Sequence, residues 1–204
     1  MPRLALLLLI VWFLALFVLR AVLQWRRTGA TGFKGFSGRI GSLEWCAGLL
    51  FVLGIVATGL APIASLLGWR AGSLIVVHPA IHLLGAGIVV AGIAGALVAQ
   101  LAMGDSWRVG VDQSERTELV VRGPFAQVRN PIFSCMLLSA IGLLLLLPSP
   151  LSLVALALTA GGIEIQVRAV EEPYLLRTHG VRYGGYAARV GRFLPGVGLL
   201  RRGG

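Results

Sequence analysis

Residues 122–133 read RGPFAQVRNPIF and lie between a charged loop and the fourth long apolar run. A proline that follows a polar residue and precedes an apolar segment predicts a helix start, with Asn130 as the N-cap and Pro131 at the first helical position. Arg129 and the unpaired backbone N–H groups of that helix would then lie together at a membrane surface. Such a site binds anions, because the donors and the positive end of the helix dipole point the same way.

The composition indicates an integral membrane protein. Hydrophobic residues make up 57% of the 204 positions and charged residues only 13%, and the mean hydropathy is +0.87. A soluble domain could not bury this much apolar surface. We predict an all-α fold with about five membrane helices, in which the last two form a hairpin because only Pro148-Ser149-Pro150 separates them. The predicted spans are residues 4–23, 45–67, 80–103, 131–147 and 151–165.

The positive charges predict the orientation of these spans. All but two of the 18 Lys and Arg residues fall in segments 20–44, 104–130 and 164–204, and Arg3 and Arg70 lie on the opposite side. The N-terminus is therefore expected outside and the C-terminus in the cytoplasm, at the plasma membrane in a prokaryote, with no cleaved signal peptide. Because the basic residues are divided among the spans, the net charge of +10 predicts contact with anionic lipid headgroups and not with nucleic acid.

No metal site or disulfide is predicted. Cys46 and Cys135 stand in or beside apolar runs without CxxC or Cys/His spacing, and Pro79 separates His78 from His82. The sequence points to no particular oligomeric state.

Unusual polar residues gather near the end of the fifth apolar run. Glu164, Arg168, Glu171 and Glu172 recur at i, i+4, i+7 and i+8, which predicts one polar face on a helix that leaves the bilayer. This face is either the wall of a functional pocket or a set of ion pairs at a solvated helix end.

The tail that follows, residues 178–195, reads THGVRYGGYAARVGRFLP. It is typical of an interfacial amphipathic helix with Tyr183 and Tyr186 as anchors and lipid-facing arginines, and a lid over the pocket is the alternative.

Four segments in this order resemble the superfamily of isoprenylcysteine carboxyl methyltransferases and phospholipid methyltransferases. They are MGDSW (103–107), TELVVRGPFAQVRNPIF (117–133), EEPYL (171–175) and HGVRYGGYAARVGRFLP (179–195). The resemblance implies an integral membrane methyltransferase that uses S-adenosylmethionine and acts on a lipid or lipid-like acceptor. The resemblance covers roughly the C-terminal half and implies that residues 104–204 form the catalytic region with a cytoplasmic cofactor site. With the three spans predicted in residues 1–103, we expect one membrane domain over residues 1–204.

The same resemblance implies the site residues. The family motif Arg-His-Pro-x-Tyr corresponds to residues 129–133 here, where Asn130 keeps a capping side chain and Phe133 keeps a ring without the hydroxyl. The implied catalytic residues are Arg129, Arg168 and Glu172. The implied cofactor-binding residues are Thr117, Glu118, Leu119, Val120, Phe125, Arg129, Asn130, Pro131, Phe133 and Glu171.

The charges of this residue set suit S-adenosylmethionine, which carries a sulfonium, an ammonium and a carboxylate. Glu171 and Glu172 suit the two cations and Arg129 suits the carboxylate. A carboxylate acceptor needs no general base, which favours carboxyl O-methylation, whereas an amine acceptor would need one of the two glutamates as a base. Two alternatives are a nicotinamide-dependent membrane reductase with a related C-terminal region and a non-catalytic membrane protein that keeps the fold.

Overall fold

The computed structural model describes residues 1–32, 38–69, 78–104, 107 and 118–200. Within these ranges the regular structure is helical and no strand is formed, which confirms the predicted all-α fold. Five long helices follow one another: α1 Pro2–Thr28, α2 Leu43–Leu66, α3 Pro79–Ala102, α4 Pro131–Leu146 and α5 Pro150–Ala187, the last with a kink at Gly180.

Prolines and serines set the helix starts. Four of these helices begin with proline at the first helical positions, where the missing N–H costs nothing. The Ser42 hydroxyl accepts a hydrogen bond from the Trp45 amide at 3.3 Å, and the Ser149 hydroxyl accepts one from the Ser152 amide at 3.1 Å. Because α4 ends at Leu146 and α5 begins at Pro150, the predicted hairpin is confirmed.

In the described ranges, four helices are long and apolar enough to cross a membrane: α1, α2, α3 and α5. The fourth in chain order, α4, is apolar but has only 16 residues, or about 24 Å at a rise of about 1.5 Å per residue. The count of five membrane-spanning helices therefore stays a prediction.

The helices pack in two close pairs, α3 with α4 and α2 with α5. Glycines bring the backbones together: a Cβ on Gly85 would lie 2.8 Å from the carbonyl oxygen of Gly142, and a Cβ on Gly162 would lie 2.7 Å from the amide nitrogen of Phe51. Close contact through small residues is the usual way for apolar helices to associate in lipid. α1 completes the core by burying Trp12 and Leu16 against α3 and α4.

Two helices contain a π-helical segment, Leu14–Leu19 in α1 and Gln166–Glu171 in α5. Each is followed at once by a buried charged side chain, Arg20 (1% exposed) and Glu172 (5% exposed). A π turn is wider than an α turn and rotates the residues after it relative to those before it. These segments therefore decide which charged side chains point into the bundle.

Candidate active site

Arg129, directly before α4, lies at the centre of a buried polar cluster. Its Nη1 donates to the carbonyl oxygens of Ala187 and Val190, both at 2.7 Å. Its Nη2 donates to Glu172 Oε1 at 2.6 Å and to the Gly198 carbonyl oxygen at 2.9 Å. Only 5% of the residue is exposed, so the charge is held by protein groups.

Glu172 joins Arg129 to a second arginine in the tail. Arg192 donates from Nε to Oε1 and from Nη2 to Oε2, both at 2.8 Å. The bond to Glu172 raises the pKa of the Arg192 guanidinium above its ordinary value, and burial offsets only part of that rise. Glu172 therefore accepts three charge-assisted hydrogen bonds, which are stronger than neutral ones.

The predicted single polar face on α5 is wrong. Arg168 is paired with Glu164, its side chain is 58% exposed, and the partners of Glu172 are Arg129 and Arg192. The π-helical segment Gln166–Glu171 separates the two pairs and changes the helical register between them. Glu171, within this segment, is half-buried and accepts a hydrogen bond from Gln166 Nε2 at 3.5 Å.

The tail covers the start of α4. Asn130 occupies the N-cap position, but its side chain makes no capping hydrogen bond. Its Nδ2 donates to the Arg192 carbonyl oxygen at 3.2 Å. The backbone amides of Arg129 and Asn130 donate to the carbonyl oxygens of Gly191 and Arg192 at 2.8 and 3.1 Å. The Asn130 amide, at the N-cap, is therefore not one of the open donors that the sequence predicted for the start of this helix. Ser134 adds a further bond, from its hydroxyl to the Phe193 carbonyl oxygen at 2.8 Å.

The segment before α4 packs on the end of α5. Leu119 is buried in an apolar cluster with Tyr183, Tyr186 and Ala187. The Tyr186 hydroxyl donates to the Phe125 carbonyl oxygen at 2.6 Å, which fixes the 3₁₀ turn Gly123–Ala126. The prediction that the two tyrosines anchor the tail at the membrane interface is wrong, because they are only 2% and 8% exposed.

The structure thus places most of the predicted site residues in one region. Arg129 and Glu172 are in contact, Leu119, Phe125 and Pro131 are buried, and Val120, Asn130, Phe133 and Glu171 are half-buried. Glu118 and Arg168 are exposed, and Thr117 lies outside the described residues. Among the described residues, no group of three or more His, Cys, Asp and Glu side chains could hold a metal ion.

Sequence reasoning missed Arg192, Tyr183 and Tyr186 as parts of this region. Their partners are twenty to about sixty positions away in the chain. The tail pattern indicated either a lipid-facing helix or a lid over the pocket, and it identified no partner for these side chains. A signal in the sequence is that residues 178–195 contain three arginines and no carboxylate, so a carboxylate partner for Arg192 has to come from another segment. That partner is Glu172, which the buried Arg129 and the half-buried Arg192 share.

A family model for phospholipid methyltransferase matches residues 80–182, half of the chain. The chain belongs to this family. The match contains Arg129, Arg168, Glu171 and Glu172, and it ends before Arg192. It confirms the predicted superfamily, and together with the four long apolar helices it identifies a membrane protein of a methyltransferase family. No curated protein sequence matches the chain.

Proposed function

We propose that the protein is an S-adenosylmethionine-dependent methyltransferase that acts on a lipid or lipid-like acceptor at the cytoplasmic face of the membrane. The observation that carries the proposal is the contact between Arg129 Nη2 and Glu172 Oε1 at 2.6 Å. Both residues belong to the region that matches the family, and they come from segments 43 positions apart. The contact supports a single site in which Arg129 lies close to the acidic pair of Glu171 and Glu172.

The residues around this contact fit the proposed cofactor. Arg129 Nε is buried and has no hydrogen-bond partner among the described residues, so the guanidinium keeps a donor for an anionic group. Glu171 offers a half-buried carboxylate for a cation, and Leu119 and Phe125 offer apolar surface. Residues 117–120, Phe125, residues 129–131, Phe133 and Glu171 would hold S-adenosylmethionine, which supplies when bound a methyl group on a sulfonium.

The hydrogen bonds of Glu172 favour a carboxylate acceptor. Both of its oxygens accept hydrogen bonds from guanidinium groups, which makes this side chain a poor proton acceptor. A carboxylate acceptor needs no base, and the exposed Arg168 could orient it by a charge-assisted hydrogen bond. N-methylation of an amine would instead use Glu171 as the base. With either acceptor, a carboxylate or an amine, Glu172 would position Arg129 and Arg192.

Two observations support the proposed membrane arrangement. Arg26 and Arg27 are exposed at the end of α1, at the same end of the bundle where Arg20 contacts Gly104. An excess of positive charge at this end supports a cytoplasmic location of the site. The contact between Arg20 and Gly104 also joins the first helix to the region that matches the family, which supports one membrane domain over residues 1–204.

Binding of S-adenosylmethionine to the detergent-solubilised protein tests the proposal. We expect saturable binding by the wild type, weaker binding by Glu171→Gln, and wild-type binding by the control Glu164→Gln on the same helix. Binding of a reduced nicotinamide cofactor without binding of S-adenosylmethionine would instead identify a reductase.

Transfer of a radiolabelled methyl group into a total lipid extract tests the acceptor. A label that mild base releases is a methyl ester, which we expect, and a base-stable label in the headgroup is an N-methyl group. If the wild type binds S-adenosylmethionine but labels no lipid, the proposed acceptor class is wrong.

A further inference from the structure

Arg20, in the first helix, has the largest side chain among the fully buried residues of the described ranges. Its Nη2 donates to the Gly104 carbonyl oxygen at 2.6 Å and approaches the Gln100 carbonyl oxygen at 3.5 Å. Its guanidinium carbon lies 4.8 Å from the centre of the Trp107 ring, within the range of a cation–π interaction. Arg20 therefore satisfies carbonyl groups at the end of α3 and covers the aromatic ring that follows.

Two other contacts hold the C-terminal end of α3 and Trp107 against α1 and the residues that follow α1. Gln100 Nε2 donates to the Leu16 carbonyl oxygen, in the π-helical segment of α1, at 3.0 Å. Gly32 lies so close to Trp107 that a Cβ on it would be 2.9 Å from the ring. The end of α3 and Trp107 are thus fixed by side chains and backbone from the first 32 residues.

The fixed end of α3 supports part of the candidate active site. The 3₁₀ turn Gly123–Ala126 packs on α3, and a Cβ on Gly123 would lie 4.0 Å from the Cβ of Ala102. Phe125 of this turn accepts the hydrogen bond from Tyr186. A continuous set of contacts therefore runs from Arg20 through residues 100–104 to Phe125.

A charged side chain inside a membrane helix is costly and is kept where it has a function. Arg20 lies outside residues 80–182, which match the family, so its role is not part of that match. We propose that Arg20 is a positioning residue that holds the end of α3, and with it the turn at Phe125, in the geometry needed to bind the cofactor. This inference rests on the proposed function.

The test compares Arg20→Gln with Arg27→Gln, which removes an exposed arginine from the same helix. For Arg20→Gln we expect the Kd and KM for S-adenosylmethionine to rise roughly 3- to 30-fold. A substitution in a network of contacts that reaches a binding site changes the affinity at that site by this order. The KM for the lipid acceptor and kcat should change little, and Arg27→Gln should match the wild type. Binding is measured at a temperature at which thermal unfolding shows each variant to be folded.

A purely structural role would lower the unfolding temperature without changing cofactor affinity, so equal affinity of Arg20→Gln and wild type overturns this inference alone. No binding by the wild type overturns the proposed function itself. If Arg20→Gln does not fold, Arg20→Lys carries the test, because lysine can still donate to Gly104 but cannot cover Trp107 as a planar group. A smaller rise in Kd is expected for this variant, and an unchanged Kd overturns the inference.

Discussion

Helix α5 carries two glutamates whose contacts with arginine have opposite surroundings, Glu164 and Glu172. Glu164 and Arg168 are neighbours on one helix, with side chains 40% and 58% exposed. Glu172 contacts Arg129 and Arg192 from other segments, and the side chains of Glu172 and Arg129 are 7% and 1% exposed. The residue types are the same. Burial and the position of the partners in the chain therefore determine how much such an ion pair contributes to stability.

The two contacts should therefore differ in their contribution to stability. An exposed ion pair is screened by solvent and contributes about 0–1 kcal/mol. Removal of one partner from a buried pair leaves an uncompensated charge and costs about 3–5 kcal/mol. We therefore expect loss of the buried contacts of Glu172 to destabilise the protein several times more than loss of the exposed pair.

The largest effect is expected for Glu172→Gln, because it leaves two guanidinium groups, Arg129 and Arg192, without their shared carboxylate. We expect a loss of about 3–5 kcal/mol, which lowers the unfolding temperature in detergent by roughly 6–20 °C. Glu164→Gln is the matched control, since it makes the same chemical change in the exposed pair, and it should stay close to the wild type. Similar shifts for both variants would show that the two contacts do not differ energetically.

An intermediate effect is expected for Gly191→Ala. This change would displace the tail from the cluster of Arg129, Glu172 and Arg192 and would remove no charged group. A Cβ on Gly191 would clash with the Leu194 carbonyl oxygen, and the Gly191 carbonyl accepts the Arg129 amide. We expect a loss of about 1–3 kcal/mol, as for other overpacked sites, and weaker binding of S-adenosylmethionine.

The control for this variant is Gly185→Ala, where a Cβ meets nothing within 4 Å and the residue is helical. This change should be neutral or slightly stabilising, because alanine is favoured over glycine by up to about 1 kcal/mol in a helix. A stable Gly191→Ala protein with wild-type affinity would mean that the tail does not shape the site.

The sequence was sufficient for the features that depend on local patterns. Apolar runs of membrane length predicted the helices, and the proline-rich link of residues 148–150 predicted the hairpin. Both predictions succeeded because each depends on residues that are close in sequence. The resemblance predicted that Arg129 and the acidic pair bind opposite ends of one cofactor, and the structure instead joins Arg129 directly to Glu172.

The sequence was not sufficient for the arrangement of individual side chains in the site. A regular period of about 3.6 residues per turn placed Arg168 and Glu172 on one face, and the π-helical segment Gln166–Glu171 breaks that period. The tail was expected either to lie on the membrane or to cover the pocket, and the hydrogen bonds from Tyr186 to Phe125 and from Arg192 to Glu172 hold it against the protein. Contacts of this kind depend on the tertiary structure and leave no periodic signal.

The smallest effect on stability is expected for Arg168→Gln. This variant distinguishes two roles of the exposed pair, which either orients the lipid acceptor or is an ion pair on the solvated surface. Loss of the contact with Glu164 should cost less than about 1 kcal/mol. If Arg168 orients a carboxylate acceptor, kcat/KM for the lipid should fall roughly tenfold or more, because a hydrogen bond to a charged group is lost, while affinity for S-adenosylmethionine stays unchanged. Arg177→Gln, which removes another exposed arginine from α5, is the control and should keep full activity. Wild-type kcat/KM in both variants would show that the pair of Glu164 and Arg168 belongs to the solvated surface, and that the acceptor is oriented by other residues.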